Sequence, residues 1–345
     1  MGPKLLSIIV PSYNMESYLP KCLGSLCIDD KDLLEQLDVI VVNDGSHDRT
    51  SEIAHEWEAK MPSVIRVLDK DNGNYGSCIN AALRIARGHF VKVLDADDTF
   101  DSRGFYEYLM FLRDHTDDKI DLILTDNDVV DQEGNRLNHR TFPFEANVPI
   151  AIDDYLQTSA YVSMHALTYR MDILRKIRYC QCEGVSYSDT EWVWLPLVGV
   201  HDIVYLPVVV YRYLVGREGQ TMDPRIRAKS IGMRAQVVFH AMGEMERLRA
   251  MASASVKEYF SSTVIVHLQV MYRESIFGLS CYESVFDLRE FDSELRERFP
   301  KVYDLVSEVH YCWCIPYRFI QGWRARSRFF PLMRWVCRVY SNLAS

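Results

Sequence analysis

Short apolar segments alternate with helix-like segments through the first hundred residues, and this alternation limits the fold more than any other feature of the sequence. The apolar segments have the length and β-branched content of buried strands: Leu5–Val10, Asp38–Val42, Val64–Leu68 and His89–Leu94. The segments between them carry apolar residues at helical spacing: Glu16–Leu26, Asp48–Lys60 and Cys78–Arg87. Strands that alternate with helices form βαβ units. The sequence therefore predicts an α/β fold with a mostly parallel sheet flanked by helices.

Polar residues follow these strands at the point where each strand ends. They are Pro11–Asn14, Asn43–Asp44, Asp71–Asn72 and Asp95–Asp97. In an open sheet of this type, ligands bind outside the carboxyl ends of the strands. Turn chemistry explains part of the pattern, because Asn and Asp are common at any strand end. It does not explain why carboxylates recur, and converging carboxylates suit a site that binds base and ribose groups and holds a metal ion.

Three carboxylates occur within four positions at Asp95–Asp98, directly after the fourth strand. Burying this much negative charge without a cation is unfavourable. Mg²⁺ or Mn²⁺ bound by oxygen ligands is one solution, and proteins usually share such ions with substrate phosphates. The alternative is a solvated acidic turn, or a helix N-cap at Asp98 or Thr99 before a helix that starts near Asp101.

Composition excludes several classes of protein. The chain has 345 residues, nearly half of them hydrophobic, which predicts a large core and two packed units. A net charge of −9 argues against general nucleic-acid binding. The nine cysteines lack repeated zinc-site spacing, which favours reduced thiols in a cytoplasmic protein. There is no secretory signal and no apolar stretch of about eighteen residues, so no membrane span is predicted.

The second half of the chain changes character. Val204–Val215 is rich in β-branched residues but contains Pro207, which predicts an edge strand. After Pro224 helical spacing dominates. We therefore predict an α/β domain at residues 1–222, which carries the strand-end carboxylates, and a helical C-terminal domain at residues 223–345.

The last stretch, Ile315–Tyr340, mixes aromatic residues with arginines and contains no acidic residue. This composition is typical of helices that lie on anionic membrane surfaces. The alternative is a C-terminal helix that packs on the core with its arginines outward. The sequence leaves both interpretations open.

Four motifs together resemble glycosyltransferase family 2, whose members have the GT-A fold. They are Leu6–Asn14, Asn43–Thr50, Asn72–Gly76 and Asp95–Asp98. Each motif alone is modest evidence, but the four occur in the family's order and each follows a predicted strand. The resemblance is strong over the first hundred residues and reaches Thr221 more weakly.

The resemblance implies an inverting transfer of a sugar from a UDP-sugar to a hydroxyl of a glycan or lipid-linked saccharide. It implies Mn²⁺ or Mg²⁺ as cofactor and a place in surface polysaccharide synthesis at the inner face of the cell membrane. Asp97 would ligate the metal, Asp44 would accept a hydrogen bond from uracil, and Asp95 would contact the ribose. The full set of implied nucleotide-binding residues is Pro11, Tyr13, Glu16, Asp44, Asn72, Gly76, Asp95, Ala96 and Arg217.

The family also has an acidic element about ninety residues after its metal motif, and Ser188–Trp192 stands in that place. The resemblance makes Asp189 the catalytic base, with Glu191 as the alternative. Arg217 would clamp the diphosphate, because a guanidinium matches phosphate geometry, whereas Arg212 would be structural. His165 could meet the acceptor or the metal, but a structural role is the stronger expectation.

Two other functions remain as alternatives. A sugar nucleotidyltransferase also reads nucleotides on an α/β sheet, but the glycine-rich phosphate loop that such enzymes carry near the first strand is missing. An inactive partner subunit could keep the fold without the chemistry. The presence of Asp44, Asp95, Asp97 and Asp189 argues against that alternative.

Overall fold

The structure is a computed structural model that describes residues 4–158, 162–217, 230–277, 286–310 and 317–336. The chain divides into two compact units. The first comprises Met1–Gln220 with Gly243–Val256, and the second comprises Thr221–Met242 with Lys257–Ser345. The predicted domain boundary at residue 222 lies outside the described residues.

The first unit contains the sheet. Its strands are β1 (Lys4–Ser12), β2 (Leu37–Asp44), β3 (Ile65–Lys70), β4 (Gly88–Val93), β5 (Thr99–Phe100), β6 (Leu122–Val130), β7 (Arg136–Arg140), β8 (Pro149–Ala151), β9 (Leu167–Arg170) and β10 (Asp202–Leu214). Its helices are α1 (Leu19–Gly24), α2 (Lys31–Leu34), α3 (Thr50–Lys60), α4 (Asn74–Ile85), α5 (Ser102–Asp114), α6 (Ile152–Leu156), α7 (Met171–Ile177) and α8 (Asp189–Trp194), with 3₁₀ turns at Met164–Ala166 and Leu195–Gly199.

The strand order is β3-β2-β1-β4-β9-β6-β10-β5, with β7 beside β6 and β8 beside β10. The pairs among β3, β2, β1 and β4 are parallel. The second half of the sheet is mixed, because β9 runs antiparallel to both β4 and β6 while β10 runs parallel to β6. The α/β fold class is confirmed, with the correction that the all-parallel pattern holds only in the first half.

The prediction of an edge strand at Val204–Val215 is wrong. Strand β10 pairs with β6 on one side, and with β8 and β5 on the other. Pro207 is tolerated because it lies in the register shift between Leu206 and Val209, where the regular ladder of backbone hydrogen bonds is interrupted.

The core of the first unit lies between the sheet and its helices. Strand β2 is buried along its whole length, and residues such as Ile8 of β1, Leu23 of α1 and Phe105 of α5 belong to one hydrophobic cluster. Because this packing fixes the strands, the loops that leave their carboxyl ends have a rigid support.

The second unit is helical. Its helices are α9 (Ile231–Leu248) and α10 (Ala254–Phe277), which both extend into the first unit, α11 (Leu288–Arg298), α12 (Pro300–Val306) and α13 (Phe319–Arg324). Phe319 and Ile320 are fully buried, and Arg324 bonds Asp292 (Nε to Oδ1, 2.8 Å). Packing on the core, the alternative interpretation of the C-terminal stretch, therefore applies to α13.

The helices and the cysteines of the described residues bear on the predictions of no membrane span and of reduced thiols. None of their helices combines the length and the hydropathy that a bilayer crossing requires. The cysteines among them that are free thiols are Cys22, Cys27, Cys78, Cys180 and Cys182.

Candidate functional site

The loops that follow β1 and β2 are tied to each other by side chains. The backbone N–H of Asn14 donates to Ser46 Oγ (3.0 Å), and that of His47 donates to Asn14 Oδ1 (2.8 Å). Glu16 Oε2 accepts from the N–H of Arg49 (2.9 Å), directly before α3. The carboxylate of Glu16, a predicted nucleotide-binding residue, thus ties this loop to the start of α3.

Two other predicted nucleotide-binding residues, Pro11 and Tyr13, present apolar surface at the end of β1. Tyr13 is 43% exposed, and its ring lies edge-on to His47 with the centroids 6.4 Å apart. Pro11 is half-buried in β1, opposite Val42 of β2. An exposed aromatic ring beside a proline is a surface on which a nucleotide base can stack.

Asp44 is buried at the carboxyl end of β2 and has a cationic partner. Its Oδ1 accepts from Lys70 Nζ (2.7 Å) and from the N–H of Gly73 (2.9 Å). Both bonds reach the same carboxylate oxygen, Oδ1. Sequence reasoning missed Lys70. The parallel register pairs Asp44 with Lys70, so adjacent β2 and β3 with aligned ends would have predicted this contact.

The start of α4 connects Asp44 to the acidic motif. Asn72 Nδ2 donates to the carbonyl of Asp44 (3.0 Å), and Gly73 N–H binds its carboxylate. Two residues later, Tyr75 donates from its hydroxyl to Asp95 Oδ1 (3.1 Å). Asp44 and Asp95 therefore belong to one site, and Tyr75 is a site residue that the motif comparison did not single out.

Gly76 lies where α4 approaches another backbone segment closely, and its predicted contact with a nucleotide stays a prediction. A Cβ at this position would lie 2.0 Å from the carbonyl oxygen of Cys182, so the glycine allows α4 to approach that backbone closely. The N–H of Cys182 in turn donates to Glu191 Oε2 (2.7 Å), and Glu191 is fully buried. Glu191 thus serves the packing of this segment.

Asp98 connects the acidic motif to β10. Its Oδ2 accepts from the Tyr211 hydroxyl (2.7 Å) and its Oδ1 from the N–H of Leu214 (2.6 Å). The Tyr211 hydroxyl also accepts from the N–H of Asp95 (3.1 Å). The alternative interpretation, a helix N-cap at Asp98 or Thr99, is wrong, because Asp101 caps α5 by accepting from Gly104 N–H (3.0 Å).

The carboxylates of this motif perturb one another. Burial raises the pKa of Asp95 to about 7, with further contributions from the negative charges of Asp97 and Asp189. Burial also raises the pKa of Asp189, and that of Asp98 is raised by burial, Asp97 and Asp95. A solvated acidic turn would show no such effect. The site is therefore a partly buried set of like charges that a bound cation would stabilise.

The donor chemistry at this place fits a divalent cation. Asp95, Asp98 and His165 each offer one ligand atom, and these atoms lie within 4.8 Å of one another. His165 is held between Tyr211 and Tyr213, with ring centroids 4.5 and 4.4 Å away. Burial lowers its pKa to about 3, so the imidazole is neutral, the form that binds metals. Oxygen and imidazole donors suit Mn²⁺.

Asp97, the predicted metal ligand, accepts a hydrogen bond from Arg217 Nε. Arg217 therefore lies at the acidic motif, and its role beside a diphosphate stays a prediction. Arg212 instead donates to the carbonyl of Gly134 (Nη2 to O, 2.9 Å) and pairs with Thr99 in the sheet. Residues 218–229, which follow Arg217, lie outside the described residues.

The part of the chain that carries this site is similar to a known protein family. The family model described as Glycosyl transferase family 2 matches residues 7–178, about half of the chain. The chain belongs to glycosyltransferase family 2. The matched residues of this family member include most of β1, all of β2 to β4, and the Asp44 and Asp95–Asp98 motifs.

Two curated relatives show how far the family likeness extends. Poly(ribitol-phosphate) beta-N-acetylglucosaminyltransferase TarS of Staphylococcus aureus is 34% identical over 220 residues, 63% of this chain and 36% of TarS. The uncharacterized glycosyltransferase EpsJ of Bacillus subtilis is 40% identical over 101 residues, 29% of this chain and 28% of EpsJ. The matched part spans about a third of the length of these relatives.

A solved structure has the same fold. The crystal structure of S. aureus TarS 1-349 in complex with UDP-GlcNAc matches with a TM-score of 0.68 at 20% identity, over 98% of this chain and 92% of that chain. At this identity the likeness concerns the fold, and the predicted GT-A fold is confirmed.

Proposed function

We propose that this family 2 protein is an inverting glycosyltransferase. It would move a sugar from a UDP-sugar to a hydroxyl of a glycan or lipid-linked saccharide acceptor, with a divalent cation and a carboxylate base. The observation that supports this most is the junction at the start of α4, where Gly73 binds Asp44 and Tyr75 binds Asp95. This junction supports the proposal because it links a buried carboxylate, which would accept from the base, to an acidic group that a cation would stabilise.

The donor nucleotide would lie across the ends of β1, β2 and β4. Pro11 and Tyr13 supply apolar surface for uracil, and Asp44 Oδ2 accepts from its N–H donor. Lys70 and Gly73 hold the Asp44 carboxylate through Oδ1, so the acceptor is oriented before the ligand arrives. Asp95 and Ala96 lie at the next strand end, where the ribose follows the base.

The diphosphate would meet the acidic motif. Asp97 is the proposed metal ligand, and Asp95, Asp98 and His165 lie close enough together to contribute further donors. When bound, Mn²⁺ or Mg²⁺ would offset the charge of the leaving diphosphate as a Lewis acid. Arg217 is positioned to bind phosphate oxygens once its bond to Asp97 is released, because its guanidinium can donate to two oxygens at once.

Asp189 is the proposed base. It is the first residue of α8 and close enough to Asp95 to raise the pKa of that carboxyl. Burial raises its own pKa, which makes its carboxylate a stronger proton acceptor. One base acting on the acceptor hydroxyl, opposite the leaving group, produces inversion at the anomeric carbon. Glu191 is a poorer candidate because its carboxylate binds Cys182 N–H.

UDP-GlcNAc is the first donor to test, because the TarS structure holds that sugar nucleotide and TarS is named as an N-acetylglucosaminyltransferase. A role in bacterial surface polysaccharide synthesis is supported by relatives such as the minor teichoic acid biosynthesis protein GgaB of B. subtilis. The inner face of the cell membrane would be the place of action, since UDP-sugars and lipid-linked acceptors meet there.

The test measures binding and turnover separately. Thermal shift with UDP and a panel of UDP-sugars, with Mn²⁺ or with EDTA, reports binding, because a ligand that binds the folded state raises its apparent stability. Release of UDP from the UDP-sugar reports turnover. Asp97→Asn should remove the Mn²⁺ dependence of UDP binding, with Asp101→Asn, whose side chain caps α5, as the carboxylate control. A protein that binds no nucleotide would be an inactive partner subunit, and one that forms a nucleotide sugar from sugar phosphate would be a nucleotidyltransferase.

A further inference from the structure

The arginine- and aromatic-rich stretch of the second unit divides into two parts with opposite environments. In α13, Phe319 and Ile320 are fully buried, and the Phe319 ring lies 5.5 Å from that of Phe277. Residues 330–336 form a second helical segment. The exposed apolar side chains of the stretch lie in and next to this second segment.

One face of the second segment is apolar and exposed. Phe329, Leu332 and Trp335 are 56%, 58% and 63% exposed, respectively. Their spacing of three residues places them along one side of a helix. Phe330 and Arg334 instead line a cavity of about 430 Å³ within the second unit. This orientation directs the opposite, apolar side outward.

The charges beside this face are positive. No acidic residue follows Glu308 in the sequence, although the whole chain has a net charge of −9. Arg318 pairs with Glu308 (Nη1 to Oε2, 3.0 Å) and Arg324 with Asp292. Arg326 and Arg328 are exposed, and within the described residues neither forms an ion pair with a carboxylate.

We propose that Arg326, Arg328, Phe329, Leu332 and Trp335, here called the C-terminal patch, dock on an anionic lipid surface. Charge complementarity favours this occupant. The arginines would bind the lipid phosphates, and the exposed aromatic and leucine side chains would enter the boundary between the head groups and the acyl chains. The acidic remainder of the chain would be repelled by the same surface, so binding through the patch would also set the orientation of the bound protein. This inference does not depend on the transfer reaction.

Co-sedimentation of the full chain with vesicles tests the proposal. Binding is expected to vesicles that contain phosphatidylglycerol, to be much weaker to pure phosphatidylcholine, and to fall with added salt. The double variant Arg326→Gln/Arg328→Gln should bind the anionic vesicles about 25-fold more weakly, since each arginine near such a surface contributes about a factor of five. The triple variant Phe329→Ser/Leu332→Ser/Trp335→Ser should not bind.

Val266→Ser is the matched control, because Val266 is 55% exposed on α10 in the same unit and should leave binding unchanged. Tryptophan emission should shift to shorter wavelength on addition of anionic vesicles, and Trp335→Phe should remove most of that shift. Circular dichroism of each variant shows that it is folded. The proposal is overturned if the full chain does not bind anionic vesicles, or if the double arginine variant binds them as tightly as the wild type. It is also overturned if the triple variant still binds the vesicles and differs only in its oligomeric state, measured by size-exclusion chromatography.

Discussion

Arg217 donates from Nε to Oδ2 of Asp97, across 120 positions of sequence. Both side chains are mostly buried, with 16% and 11% exposure, and the guanidinium also lies 5.5 Å from the centroid of the Tyr18 ring. The arginine thus supplies positive charge to the carboxylate that we propose as a metal ligand. A divalent cation and Arg217 would compete for Asp97, and a diphosphate would offer Arg217 a new partner.

This competition makes Arg217→Ala informative. We expect Mn²⁺ alone to bind about tenfold more tightly, because the variant removes a partly buried ion pair that the metal must displace. UDP in the presence of Mn²⁺ should bind more weakly, because the phosphate partner is lost. Isothermal titration measures both. Arg212→Ala, which removes a bond to the Gly134 carbonyl, is the control and should change neither affinity.

Asp189→Asn should lower the rate of sugar transfer by at least about 100-fold, the usual contribution of a general base. UDP affinity should stay unchanged, because the proposed nucleotide contacts lie elsewhere. Glu191→Gln keeps an oxygen for Cys182 N–H and should retain most of the transfer rate. Loss of transfer in Glu191→Gln with full activity in Asp189→Asn would assign the base to Glu191.

Lys92 is fully buried, donates to the carbonyls of His165 (2.7 Å) and Leu167 (3.3 Å), and has a pKa that burial lowers to about 7. Well below that pH, the folded and unfolded chains both hold its proton. Between about pH 7 and about pH 10, only the unfolded chain does. This group should therefore raise the free energy of unfolding as pH rises, by about 2 kcal/mol from about pH 7 to about pH 9.

Urea unfolding at several pH values measures this dependence. Lys92→Met removes the titrating group while keeping the length of the side chain. As pH increases from about 7 to about 9, the free energy of unfolding of the wild type should rise relative to that of Lys92→Met. A constant difference across this range would contradict the lowered pKa.

Gly76→Ala should lower the free energy of unfolding by about 2 kcal/mol, because the added methyl group meets the Cys182 carbonyl and either α4 or that segment must move. Gly243 offers the matched control. It lies within α9 with nothing within 4 Å of an added Cβ, so Gly243→Ala should raise stability by up to about 1 kcal/mol. Thermal unfolding of the two variants compares them directly.

The strand and helix order of the first hundred residues could be predicted because it depends on local periodicity. An apolar run followed by Asn43–Asp44 or Asp95–Asp98 needs no distant partner to become a strand with a polar end. The parallel arrangement then brings those ends to one edge, so the acidic site could be located before its contacts were known. The same local reasoning misjudged β10, because the strands that cover its second side are short and distant in sequence.

Neighbouring residues alone were enough to predict the βα alternation and the collection of carboxylates at one edge of the sheet. The tertiary fold set the partners of these carboxylates: Lys70 for Asp44, Arg217 for Asp97, and Tyr211 for Asp98. It also showed that Glu191 binds backbone and that Gly76 makes room for Cys182. The physical reason is that secondary structure follows from neighbouring residues, whereas the partner of a buried charge depends on which remote segments the packing of the core brings to it.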